Sequence, residues 1–75
     1  MSNKDLNKLL LNIGAIIKKH RKERGLSQLN MGLDIDMSAN QIGRIERGES
    51  NPTVVTLHRI ANYFGFDIKE FFNTQ

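Results

Sequence analysis

Residues 27–48 read SQLNMGLDIDMSANQIGRIERG, two short helical patterns joined by a tight polar turn. The second opens at Ser38, whose hydroxyl can cap the free backbone N–H groups of a helix start, and Gln41 three residues on completes a capping-box pattern. Ile42 and Ile45 then point to one side. Asn40, Gln41, Gly43, Arg44 and Arg47 point to the other, following the three-to-four-residue spacing of one helical face. That outward face is short, polar and cationic. The first pattern, after Ser27 as its cap, buries Met31 and Ile35 behind the second. The run Asp34, Ile35, Asp36, Met37 breaks the periodicity between them.

Two helices around such a turn are the form that sets a recognition helix into the major groove of DNA. The totals agree with a small intracellular domain. Seventy-five residues make one domain near the small end of what folds unaided, and with no cysteine it has neither a disulfide nor a thiolate metal site to help. No apolar run approaches the roughly 20 residues of a membrane span. The start, Met1 to Asp5, lacks the basic-then-apolar layout of a secretion signal, so a cytoplasmic location is expected. The net charge of +3 is unevenly placed, since Lys18, Lys19, Arg21, Lys22 and Arg24 crowd together with only Glu23 against them. Such a cluster is the footprint of a polyanion partner, although a solvated helix can carry as much.

The span from about Ile13 to Phe72 resembles the phage-repressor-like helix-turn-helix family, the Xre or Cro type. The matching residues are Leu26-Ser27-Gln28, Ser38, Gln41-Ile42, Arg44-Ile45-Glu46-Arg47-Gly48, Asn51-Pro52, Thr56-Leu57 and Phe71-Phe72. The resemblance implies an all-α, compact five-helix bundle of the lambda-repressor-like DNA-binding type. It also implies a DNA-binding transcription regulator, a repressor that reads inverted half-sites as a homodimer, encoded by a bacterium or phage and associated with the nucleoid. The expected layout is an N-terminal extension over 1–12, the domain over 13–72 with its helix-turn-helix motif at 28–47, and a tail at 73–75.

Along the chain, residues 4–24 form one long helical pattern with Leu6, Leu9, Leu10, Ile13, Ile16 and Ile17 on a broad apolar stripe, ended by Gly25. Family members usually begin this helix near Ile13, so it is extended at its N-terminus. The extra turns either pack on their own domain or form an arm for a second subunit, and Gly14 is a place where the helix could bend. Leu29 and Leu33 occupy positions that are usually polar in the family and lie four apart on one face. They either cover the first helix or, with the N-terminal extension, form a surface for a protein partner. Gly32 replaces a more usual alanine, which is expected to weaken its helix. Asp36 stands where the family often has a left-handed glycine, a conformation aspartate tolerates.

After Gly48, Asn51 followed by Pro52 reads as the cap and first residue of the fourth helix, with Val54, Leu57, Ile60, Ala61 and Phe64 buried. Asp67 to Glu70 reads as another capping box, starting a last helix with Ile68, Phe71 and Phe72 turned inward. The family often places its dimer contact at this end, which makes Phe66, Phe71 and Phe72 the candidates. His20 is expected to be a partly buried, hydrogen-bonded histidine. His58 lies on a different helix with no acidic or cysteine cluster at ligand spacing, so no metal and no cofactor is expected.

The resemblance assigns base contacts to Ala39, Asn40, Gly43 and Arg44, and an ion pair between Arg21 and Glu46 that fixes the recognition helix. Phosphates would be met by Ser27, Gln28 and Ser38 at helix starts and by Arg21, Gln41, Arg47 and Asn51 beside them. The side chains suggest their bases: Arg44 has the fork for guanine O6 and N7, and Asn40 the donor and acceptor for adenine N6 and N7. Ala39 offers a methyl to thymine. Gly43 lets the backbone approach the bases or leaves room for Arg44. An enzyme is not expected, since no nucleophile with its base, phosphate loop or paired carboxylates is present. The rival reading is an antitoxin-like or protein-interaction module that keeps the fold but binds a protein.

Overall fold

Hydroxyl caps and apolar spacing resolve into four α-helices and a closing 3-10 helix in the computed structural model, which describes residues 2–73. The order is α1 (Asn3–Glu23), α2 (Gln28–Ile35), α3 (Ala39–Glu46), α4 (Val54–Phe64) and a 3-10 helix over Ile68–Phe72. Residues 74 and 75 of the expected tail lie outside the described residues. All four α-helices begin at a hydroxyl. Ser2, Ser27, Ser38 and Thr53 accept from the backbone N–H of Asp5, Asn30, Gln41 and Thr56 at 3.1, 2.9, 3.0 and 3.1 Å, each cap contributing about 1 kcal/mol.

The core forms where the apolar faces of α1, α2, α3 and α4 meet. Ile17, Met31, Ile42, Ile60 and Phe71 are its innermost side chains. Helix α3 lies against both α1 and α2. Helix α4 is tied to α2 by Tyr63, whose hydroxyl donates to Asp34 Oδ2 at 2.6 Å, and by Arg59, which donates to the Ile35 carbonyl. Helix α1 runs through Gly14 without interruption. The residue is buried where α1 meets α3, and a Cβ there would overlap the Ile45 and Glu46 carbonyls. Glycine is present for this approach of two backbones and does not bend the helix. Of the N-terminal extension, residues 2–8 are exposed and Leu9 and Leu10 are half-buried.

Several expectations are corrected by the coordinates. Gly32 is buried, and a Cβ on it would overlap the Met37 carbonyl, so glycine permits the tight turn in which Met37 N–H donates to the Gly32 carbonyl at 2.9 Å. Asp36, as expected, takes the left-handed conformation of that turn, with φ 59°. Leu29 and Leu33 do not cover α1, being 59% and 74% exposed. Helix α4 starts at Val54, capped by Thr53, and not at Asn51 and Pro52. As the first helical residue, Val54 leans back toward the N-terminus past the edge of the core and is 68% exposed.

The last segment is a 3-10 helix, held by Asp67 Oδ1 accepting from Lys69 N–H and by Glu70 N–H donating to the Asp67 carbonyl, both at 2.9 Å. With three residues per turn, positions 68 and 71 eclipse one another and position 72 is rotated away. Phe71 is accordingly a core residue and Phe72 is exposed. That removes Phe71 from the dimer candidates. Phe66 is half-buried and stacks on His20 with ring centroids 4.4 Å apart, so its ring is largely used within the fold. Phe72 keeps a free face.

Candidate nucleic-acid interface

Helix α3 is about 12 Å long at 1.5 Å per residue, and its start is fixed from both directions. Ser38 Oγ accepts from Gln41 N–H, and Gln41 Oε1 accepts from Ser38 N–H at 2.8 Å. This reciprocal cap satisfies two orphan donors and leaves the Gln41 amide NH2 and the Ser38 O–H to donate outward. Ile42 and Ile45 are buried, whereas Asn40, Gln41 and Arg44 are exposed and Ala39 is half-buried. Asn40 and Arg44 are four residues apart and so lie one above the other on the same face.

The other end of α3 is held by a buried network. Arg21 Nε donates to Glu46 Oε2 at 2.7 Å, Arg21 Nη2 to Glu46 Oε1 at 3.0 Å, and Arg21 Nη1 to the Leu26 carbonyl at 2.8 Å. Gln28 Nε2 donates to Glu46 Oε1 at 3.0 Å. One carboxylate thereby joins α1, the start of α2 and the end of α3. Burial pushes the Glu46 carboxyl up, but the hydrogen bonds from Arg21 and Gln28 and the nearby positive charge outweigh it and hold it below the usual carboxylate range. The hydrogen bond to Glu46 raises the Arg21 guanidinium above its ordinary value. Arg21 is only 7% exposed, and all three of its nitrogens are engaged within the protein, so it supports the frame and presents no free guanidinium.

Gly43 is buried. A Cβ on it would come within 2.9 Å of Arg47 Nη1 and 3.3 Å of both Gln28 amide atoms. The space left by the missing side chain is used by Gln28 and Arg47, not by Arg44. Beside this patch, a cleft of about 270 Å³ runs between α3 and the loop before α4, with Gln41, Arg44, Asn51 and Thr56 on its walls. Ser27 and Asn51 are exposed. Arg47 and Arg44 both turn toward Glu49: Arg47 Nε donates to Glu49 Oε2 at 3.0 Å and Arg44 Nη2 to the Glu49 backbone carbonyl at 3.3 Å. The hydrogen bond from Arg47, with the charges of Arg47 and Arg44, holds the Glu49 carboxyl below its usual range.

The residues assigned to base and phosphate contacts thus fall into two groups. Asn40, Arg44, Gln41, Ser38, Ser27, Arg47 and Asn51 are exposed, whereas Arg21 and Gly43 are buried and Gln28 and Ala39 are half-buried. Glu49 was missed, because a single exposed acid in a loop carries no pattern; its position two residues after Arg47 and five after Arg44 was the available signal. Among the described residues, no group of three or more His, Cys, Asp or Glu side chains could hold a metal ion, and no helix is long and apolar enough to cross a membrane.

Comparison with known proteins gives the same architecture a lineage. The helix-turn-helix family profile matches residues 17–71. The chain is 39% identical over 56 residues to the ImmF control region 10 kDa protein of Bacillus phage phi105, a match covering 75% of this chain and 62% of that protein. It is 34% identical over 61 residues to the uncharacterized HTH-type transcriptional regulator y4dJ of Sinorhizobium fredii, covering 81% of this chain and 75% of that one. Among solved structures, the apo form of the competence regulator ComR from Streptococcus vestibularis superposes with a TM-score of 0.76 at 29% identity, over 89% of this chain and 23% of that chain. The chain therefore spans less than two thirds of the phage protein and under a quarter of ComR. With four capped helices, a tight turn before α3 and a closing 3-10 helix matched over most of its length, the chain belongs to the lambda-repressor-like, Xre-type helix-turn-helix family of transcriptional regulators.

Proposed function

We propose that the protein is a sequence-specific DNA-binding repressor that reads inverted half-sites in the major groove as a homodimer, acting on the nucleoid in the cytoplasm of a bacterium. The observation that carries this is α3 itself: capped at Ser38, locked at Glu46, and holding Asn40 and Arg44 exposed on one face. In this reading Arg44 takes guanine and Asn40 adenine, with Ala39 against a thymine methyl. Ser27, Ser38, Gln41, Arg47 and Asn51 meet phosphates and set the angle of entry. Arg21, Gln28, Gly43 and Glu46 hold the frame. The unit doing this is residues 13–72, with the motif at 28–47 and residues 1–12 as an extension.

A single module of this kind buries only about 600 to 1,000 Å² of protein surface on DNA, which is why a symmetric dimer is proposed, with exposed Phe72 as its contact candidate. Its half-sites would lie about 34 Å apart. Selection of bound sequences from a random duplex pool tests the proposal. An inverted repeat with guanine and adenine at fixed positions supports it, and recovery of no enriched sequence at low ionic strength rejects it.

A second reading has its own observation. Leu29 and Leu33 stand exposed four residues apart on α2, and with the N-terminal extension they could hold a protein partner, as an antitoxin-like module would. A Leu29→Ser, Leu33→Ser variant that binds DNA normally but loses a co-purifying protein would support this role. Loss of DNA binding with a normal melting curve would instead place these leucines in the DNA-binding assembly.

A further inference from the structure

The loop that follows α3 carries an exposed acid, Glu49, where a polyanion would be expected to meet only cations. Glu49 takes the guanidinium of Arg47 through its carboxylate at 3.0 Å, with both side chains 54% exposed. Arg47 Nη1 and the Gln28 amide border the bare backbone at Gly43, where an added Cβ would lie 2.9 Å from the first and 3.3 Å from the second. Arg47 and Gln28 fill the space that position 43 leaves, and of the two only Arg47 is exposed. A phosphate oxygen and a carboxylate oxygen use the same planar fork of an arginine. Arg47 cannot give its Nε–H to both.

We propose that Glu49 sets DNA affinity by competition: its carboxylate holds the Nε edge of the Arg47 guanidinium in the free protein, and a backbone phosphate that takes this edge displaces it on binding. The inference rests on the DNA-binding reading above and adds a residue that weakens binding. The pair is solvent-exposed, so it is weak enough to exchange, and the released carboxylate turns into water beside it. Because exposed pairs are weak, the effect is a modest one, about twofold to fivefold in dissociation constant. Base preference is unaffected, because Arg44 is held by the backbone carbonyl of Glu49, which any residue at this position supplies.

The test is a double-mutant cycle on the full chain, with the parent, Glu49→Gln, Arg47→Gln and the double variant titrated against one duplex recovered by selection and one random duplex. Glu49→Gln is expected to bind the selected duplex about twofold to fivefold more tightly, with an unchanged melting temperature and unchanged selected half-site. In the Arg47→Gln background, the same change is expected to have a clearly smaller effect, since only the weaker coupling of Glu49 to Arg44 remains. A gain of equal size in that background would mean general repulsion of DNA and would overturn the competition. Parent and Glu49→Gln binding equally well would overturn it too, while leaving the DNA-binding reading intact. If neither protein binds either duplex at low salt, that reading falls and the inference with it.

Discussion

Glu46 ties three helices together, because its two oxygens take three hydrogen bonds from α1 and α2 in a buried position. Replacing it by alanine leaves the Arg21 charge buried without a counterion, which costs about 3 to 5 kcal/mol. For a domain of this size, that lowers the melting temperature by more than about 10 °C; a melting curve like the parent's would contradict the assignment. The same group predicts acid sensitivity. Its folded pKa lies below the unfolded one, so its stabilisation is complete above the unfolded value of about 4.3 and is lost as pH falls through the folded value. Urea titrations between pH 6 and pH 3 should show stability declining in the parent, with a shallower decline in Glu46→Gln. At the reading surface, Arg44→Ala should relax preference at one base pair, removing about 1 to 3 kcal/mol of discrimination, while leaving thermal stability unchanged.

At the scale of elements, the turn between α2 and α3 makes a prediction that runs against helix propensity. Gly32→Ala would gain up to about 1 kcal/mol in an unhindered helix, but here the new methyl meets the Met37 carbonyl. The variant should be destabilised by about 1 to 3 kcal/mol, measurable by urea denaturation, and a stabilised variant would show that the turn can open without cost. Helix starts at Ser27 and Ser38 were legible in the sequence because a cap bonds to backbone only two or three residues away. The start of α4 was less so: Asn51-Pro52 read as cap and first residue, whereas the cap is Thr53, whose hydroxyl accepts from Thr56 N–H. Nor could local rules show that the last segment is 3-10, since the Asp67 cap serves either geometry, and one residue of rotation decides whether Phe72 is core or surface. The close approaches at Gly14 and Gly32 involve residues distant in sequence or on the far side of a turn, and spacing within one helix does not reveal them.

For the whole molecule, the proposed mechanism requires affinity to come from phosphates and selectivity from α3. If each subunit of a dimer neutralises about four phosphates, log affinity should fall against log salt with a slope of about −7. A slope near zero in an anisotropy titration would exclude the mechanism. The outward Asn40 and Arg44 were readable from the sequence, because a capped amphipathic helix of eight residues has few ways to turn. The pairing of Arg47 with Glu49 was not, since exposed ion pairs follow no fixed spacing in loops. The most direct measurement is therefore sequence selection carried out in parallel on the parent and on Arg44→Ala. The account predicts an inverted repeat from the parent, and from the variant the same repeat with one guanine position per half-site made indifferent. An identical, equally strict half-site from both proteins would contradict it.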